Sequence, residues 1–221
     1  KDWVDEWMDK LFDINQISFL TSYELYQKGY CTRPSHANYY IGLIWAFNHV
    51  KHSGLKNELL KRPDLLELEI WKLFELEGTS DCNLSGNEIY SNVGWSSALL
   101  ELETEGVISR SRLIVASLDA LDRDFMQKRS GWFSRFHEAL KPTIKERIEL
   151  EQRYINLLGS QNPPTVSFAL KALSQINKKH QLNVSVLLDH IEPVLYAKAK
   201  ATVINALKLL KSVVKGKDEF K

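Results

Sequence analysis

The sequence predicts an all-α fold, a solenoid of stacked antiparallel helix pairs with about eleven or twelve helices, and three observations lead there. Apolar residues recur at spacings of three and four along most of the 221 residues. Glycines and prolines fall where helices should stop and start, because glycine adopts left-handed backbone angles and proline fits the first helical turn. Residues 165–173 (TVSFALKAL) match residues 202–210 (TVINALKLL) at six of nine positions, an offset of 37. One such period holds two helices, which is the arithmetic of a HEAT- or armadillo-like repeat, where no pair buries its apolar face alone.

The elements follow in order. Trp3, Trp7, Met8, Leu11 and Phe12 mark a first amphipathic helix. A second covers 14–27 and stops at Gly29; a third, strongly apolar, covers 34–52 and stops at Gly54. Pro63 and Asp64 open a helix over 65–74 that Gly78 closes. Residues 79–94, polar and carrying Gly86 and Gly94, read as the longest loop. Then come 95–105 with Gly106 as stop, 109–127 with Ser109 as N-cap, 131–140, 142–158, 163–179, 184–198 and 199–214, with Pro193 expected to kink or split its helix. A fainter copy of the repeat lies at 114–121, where Leu118, Ala120 and Leu121 match Leu170, Ala172 and Leu173. The expected core is one series containing Trp71, Leu73, Leu118, Leu121, Leu170, Leu173, Leu207 and Leu210. Leu170→Ala and Leu207→Ala are each expected to cost about 2 to 5 kcal/mol.

The chain reads as a single helical-repeat domain over 1–221, with N-terminal helices to residue 78, the loop, and C-terminal repeats from 95. It has no run of eighteen apolar residues and no leader-like start, which excludes a helical membrane span and an intact secretory signal. It lacks an initiator Met, as a portion of a longer solenoid would. Cys31 and Cys82 form no C-x-x-C pair, which favours a reducing, cytoplasmic setting. Charge is split although the net is +1: residues 1–107 carry 9 basic and 17 acidic side chains, and residues 108–221 carry 20 and 11.

Catalytic motifs fail one by one. His137-Glu138 lacks the second histidine of H-E-x-x-H, and no phosphate loop, dinucleotide fingerprint or nucleophile elbow occurs. His49 and His52, with His36 or Cys31, have no carboxylate or thiol at ligand spacing, so no metal and no cofactor is expected, and a helix-end role suits the histidines better. Asp119, Asp122 and Asp124 around Arg123 read as a solvated face with an intrahelical ion pair. Residues 128–137 combine three aromatics with three basic side chains; helical spacing puts Trp132, Phe136 and Leu140 on one face, with Phe133 and His137 beside it and Arg135 elsewhere. The candidate binding residues are Arg129, Trp132, Arg135, His137, Lys178 and Lys179.

The segments 70–78, 105–110, 123–125, 131–137 and 164–170 together resemble a poorly characterised family of large bacterial proteins with HEAT-like helical repeats. The resemblance implies a cytoplasmic bacterial solenoid and brings no reaction, cofactor or catalytic residue. Function is therefore expected to be non-enzymatic, a scaffold that binds another protein; the alternative is a nucleic-acid-binding solenoid using the basic C-terminal half. The last helix offers Val203, Ala206, Leu207, Leu210 and Val214 with little beyond to cover them, so self-association or a missing neighbour is expected at a solenoid end.

Overall fold

A computed structural model describes residues 2–14, 16–48, 50, 54–90 and 94–214. Every regular element among them is helical, none is a strand, and no helix there is long and apolar enough to cross a membrane. The chain divides into two compact units, Lys1–Arg110 and Ser111–Lys221. The sequence reading draws no boundary at this point, although the sign of the charge changes three residues earlier.

In the first unit, α1 (Asp2–Asp13), α2 (Phe19–Gln27) and α3 (Ala37–Ala46) are followed by α4 (Leu55–Leu60). Ser18 caps α2 by accepting a hydrogen bond from Thr21 N, so the predicted 14–27 helix starts five residues late. Gly54 does not close α3; it precedes α4, and among the described residues Gly29, Gly78 and Gly106 are the glycines with positive φ. The run over 65–74 is one π turn (Leu65–Glu69) passing into a 3₁₀ segment (Ile70–Phe74), with Trp71 and Leu73 buried as expected. Gly78 is required: a Cβ there would lie 2.3 Å from the Cys82 carbonyl oxygen. The polar 79–94 stretch is not all loop, because α5 (Leu84–Tyr90) forms inside it, and α6 (Trp95–Thr104) follows. The core of this unit is α3, packed by α1, α2, α5 and the 3₁₀ segment, with Tyr39, Leu43 and Phe47 wholly buried.

The second unit is built from α7 (Arg110–Asp122), α8 (Gln127–Ala139), α9 (Ile144–Glu149), α10 (Glu151–Asn156) with a 3₁₀ turn (Leu157–Gly159), α11 (Pro163–Asn177), α12 (Val184–Leu195) and α13 (Lys200–Val214). The predicted 142–158 helix breaks at Leu150, after a start fixed by reciprocal hydrogen bonds between Thr143 and Glu146. Pro193 does not split α12; it lies in the last turn, and the helix ends two residues later. Helix α11 is central, packing against α8, α9, α10 and α13, while α10 packs against α12.

Helices α8, α11 and α13 begin 36 and 37 residues apart. By this spacing the helix one period before α11 is α8, whereas the fainter sequence match at 114–121 lies on α7. Each of the three helices presents residues i, i+4, i+7 and i+11 inward. Arg129, Phe133, Phe136 and Leu140 answer to Thr165, Ala169, Ala172 and Ile176, and these to Thr202, Ala206, Leu209 and Val213; all are buried except the half-buried Arg129.

Candidate functional site

A second stripe distinguishes α11 from α13. On α11 it consists of Val166, Leu170 and Leu173, which are 7%, 1% and 0% exposed. On α13 the equivalents Val203 and Leu210 are half-buried, while Leu207 and, one turn on, Val214 are 52% and 41% exposed. The Asn177 side-chain amide donates to Ser212 Oγ at 2.9 Å, which puts α13 on this side of α11. The stripe that α13 covers on α11 is therefore bare on α13 itself. Leu207 is not a core residue, although its sequence surroundings match those of Leu170. Lys200, Lys208 and Lys211 lie along the outer edge of the bare stripe, and α13 carries no acidic residue.

The six binding candidates read from the sequence do not form one site. Trp132 is 3% exposed and stacks on Phe136 at 5.2 Å; His137 is fully buried. Both belong to the core. Arg135 lies on the surface over Gly131, and Lys178 and Lys179 are exposed at the C-terminal end of α11, where cations suit the helix dipole. Asn162 Nδ2 donates to Asp124 Oδ1 and the Phe125 carbonyl, and Lys171 pairs with Glu138 at 3.1 Å, so α8 and α11 run parallel. At about 1.5 Å per residue, roughly 20 Å of helix axis separates Arg129 from Lys178.

His137 lies in a closed chain of hydrogen bonds. Ser117 Oγ is 2.8 Å from His137 Nδ1 and 2.8 Å from the Ile114 carbonyl oxygen, and His137 Nε2 is 2.8 Å from the Tyr154 hydroxyl. The Ile114 carbonyl accepts the serine proton, so Nδ1–H donates to Ser117 and the tyrosine hydroxyl donates to Nε2. The imidazole is neutral; burial, with the Arg147 charge nearby, holds it down to about 4. A serine whose proton is already given to a carbonyl has no base to activate it, and this histidine serves packing.

The aspartate cluster is also corrected. Asp119 pairs with Arg153 of α10, not within its own helix. Asp124 adopts φ +54° and accepts hydrogen bonds from Ser160 Oγ, Gln161 N and Asn162 Nδ2 at 2.5, 2.9 and 2.8 Å. These bonds hold its carboxyl below the usual range against the opposing effect of burial.

His49 and His52 lie outside the described residues. His36 caps α3: Nδ1 accepts from Asn38 N at 3.2 Å and Nε2 meets Asp13 at 3.0 Å, so both ring nitrogens are engaged. No group of three metal-ligating side chains occurs among the described residues.

Two features of the first unit escaped the sequence reading. An open groove of about 870 Å³ lies between α2, α3 and the 79–82 turn, lined by Ile17, Leu20, Ile41, Trp45, Asp81 and Cys82 among others. Burial pushes the Cys82 thiol up to about 12, so it is no nucleophile at neutral pH. Glu69, 1% exposed on the π turn, has Tyr39 and Arg33 at 3.4 Å from Oε1, and burial raises its carboxyl above the usual range. Its spacing inside an apolar run, LLELEIW, was the available signal.

Residues 1–202 match a family described as Domain of unknown function (DUF6493). The chain belongs to this family. No curated protein and no solved structure matches it. The match spans both units and ends in the first turn of α13, so the bare stripe lies just past it.

Proposed function

We propose that the second unit is a HEAT-like stack of helix pairs and that the chain is a non-enzymatic scaffold, docking another protein on the bare stripe of α13. One observation carries the reading: Leu170 and Leu207 occupy the same repeat position, and only the second is exposed. The near-constant spacing of α8, α11 and α13, and the packing of first helix on first and second on second, support the stack. A reducing cytoplasm suits the two cysteines, one buried and one hydrogen-bonded to the Ile41 carbonyl.

A photo-crosslinking residue in place of Leu207, with Asn205 on the far side of α13 as control, tests this in cells. Capture of a polypeptide from position 207 and not from 205 is expected. Capture of nucleic acid selects the alternative solenoid that binds nucleic acid through its basic half, and no capture above the control overturns docking on this face.

A further inference from the structure

We propose that the bare stripe of α13 receives α1 of a second copy of this chain; the proposal rests on the docking reading above and names the partner. Helix α1 presents a stripe of the same spacing on its open side. Trp3, Trp7, Lys10 and Ile14 recur at four, three and four, as do Val203, Leu207, Leu210 and Val214. Trp3, Trp7 and Ile14 are 73%, 53% and 60% exposed, whereas Met8 and Phe12, on the side toward α3, are 2% exposed. The Ile14 amide donates to the Lys10 carbonyl at 3.2 Å and continues the helical turn. Two outward tryptophans on a helix packed through Met8 and Phe12 are the kind of anchor that dominates protein interfaces.

Charge selects the pairing. Beside the α1 stripe lie the exposed Glu6, Asp9 and Asp13, with Lys10 bound to Glu6 at 2.8 Å; beside the α13 stripe lie Lys200, Lys208 and Lys211. Pairing α13 with α13 brings lysines together, and pairing α1 with α1 brings acids together. Only α1 on α13 can set acids against lysines along one edge of the seam. Each copy offers a head, α1, and a tail, α13; two copies that exchange both close as a two-fold dimer, and copies that exchange one continue into a larger ring or an open chain. The exposed indole surface is about 250 Å², so a contact of this kind falls below the roughly 1,600 Å² of a standard interface, and association is expected to be weak and salt-sensitive.

Sedimentation velocity of the 221-residue chain at rising concentration tests the proposal. The mass average is expected to climb from the monomer to a dimer or beyond, and association to weaken about tenfold or more between roughly 0.05 and 0.5 M salt. Glu6→Lys with Asp9→Lys, and separately Lys208→Glu with Lys211→Glu, should each yield monomers with unchanged circular dichroism, because all four side chains are exposed. Mixing the two variants should restore association, since each head then meets a tail of opposite sign. A strictly monomeric chain, or variants that stay monomeric when mixed, overturns the proposal. If position 207 still cross-links to a different protein, the docking face stands and only its occupant is wrong; if it captures nothing, both fall.

Discussion

The same substitution at two positions that the sequence makes equivalent should have two different costs. Leu170 is 1% exposed between α11 and α13, so Leu170→Ala removes buried methylene groups and leaves a cavity, at about 2 to 5 kcal/mol. Leu207 is 52% exposed, with roughly half its transfer energy already forgone and no cavity to leave. Alanine is also the better helix former, so Leu207→Ala should cost under about 1 kcal/mol. The two units need not unfold together, so a single melting curve would blur the difference. Hydrogen exchange followed by mass spectrometry in graded urea, on peptides from 163–177 and 200–214, isolates the second unit. It should be run dilute, to keep any association out of the measurement. With a urea slope of about 1 to 3 kcal/mol/M, a gap of 2 kcal/mol between the variants displaces their midpoints by roughly 1 M. Equal costs at the two sites would refute the assignment of the Leu207 stripe as the face a neighbour covers.

Two further predictions concern the polar groups that tie the second unit. His137 titrates near 4 when folded and near 6.5 when unfolded, so between those values the unfolded chain binds the extra proton; stability is complete above pH 6.5 and is lost as pH falls toward 4, by about 3 kcal/mol in all. Replacing His137 by Gln should lower stability at pH 7 and flatten this acid limb in urea melts, and an unchanged limb would show that other groups set it. Asp124→Ala removes three acceptor contacts and leaves an alanine at φ +54°, at about 2 to 4 kcal/mol, whereas Asp124→Asn keeps the tolerance for that backbone and should cost less. Equal losses for the two variants by thermal melting would contradict this.

Local signals carried most of the helical pattern. Proline at the start of α11 and the positive-φ glycines Gly29, Gly78 and Gly106 fix helix ends through backbone geometry alone, and both starts and stops were readable. Other local signals were present and passed over. Asn83 caps α5, its Oδ1 accepting from Gly86 N at 2.8 Å, and Thr143-x-x-Glu146 spells a capping box. What local pattern cannot contain is the partner. Helix α5 is polar and short, and it persists because the Asn87 amide donates to the Ile44 carbonyl and Asn48 Oδ1 across about forty residues of chain. Likewise the offset of 37 gives the right register for α11 and α13 but not which of two identical leucines has a neighbour. Burial there depends on what packs against the helix, and a residue's own sequence window is silent on that.

The same limit explains why His137 was mistaken for part of a binding patch. Beside Arg135, and among aromatics, a histidine has the composition of a recognition surface; its true partners, Ser117 and Tyr154, sit on α7 and α10, twenty and seventeen residues away. Buried polar groups of this kind gain little net stability over an apolar core, because each hydrogen bond replaces one with water. Their effect is on uniqueness. Apolar side chains tolerate sliding by a turn, but the run from the Tyr154 hydroxyl through both imidazole nitrogens to Ser117 and the Ile114 carbonyl has one donor for each acceptor. Moving α7, α8 or α10 along its axis by one turn, about 5.4 Å, would leave a buried donor or acceptor unpaired, at about 1 to 3 kcal/mol for each group stranded. The three helices are thereby locked in register, and α11 inherits that register through Phe168, whose ring meets His137 edge-on at 5.3 Å. If α8, α11 and α13 belong to the proposed stack, it needs one such anchor, since in a solenoid each repeat contacts only its neighbours.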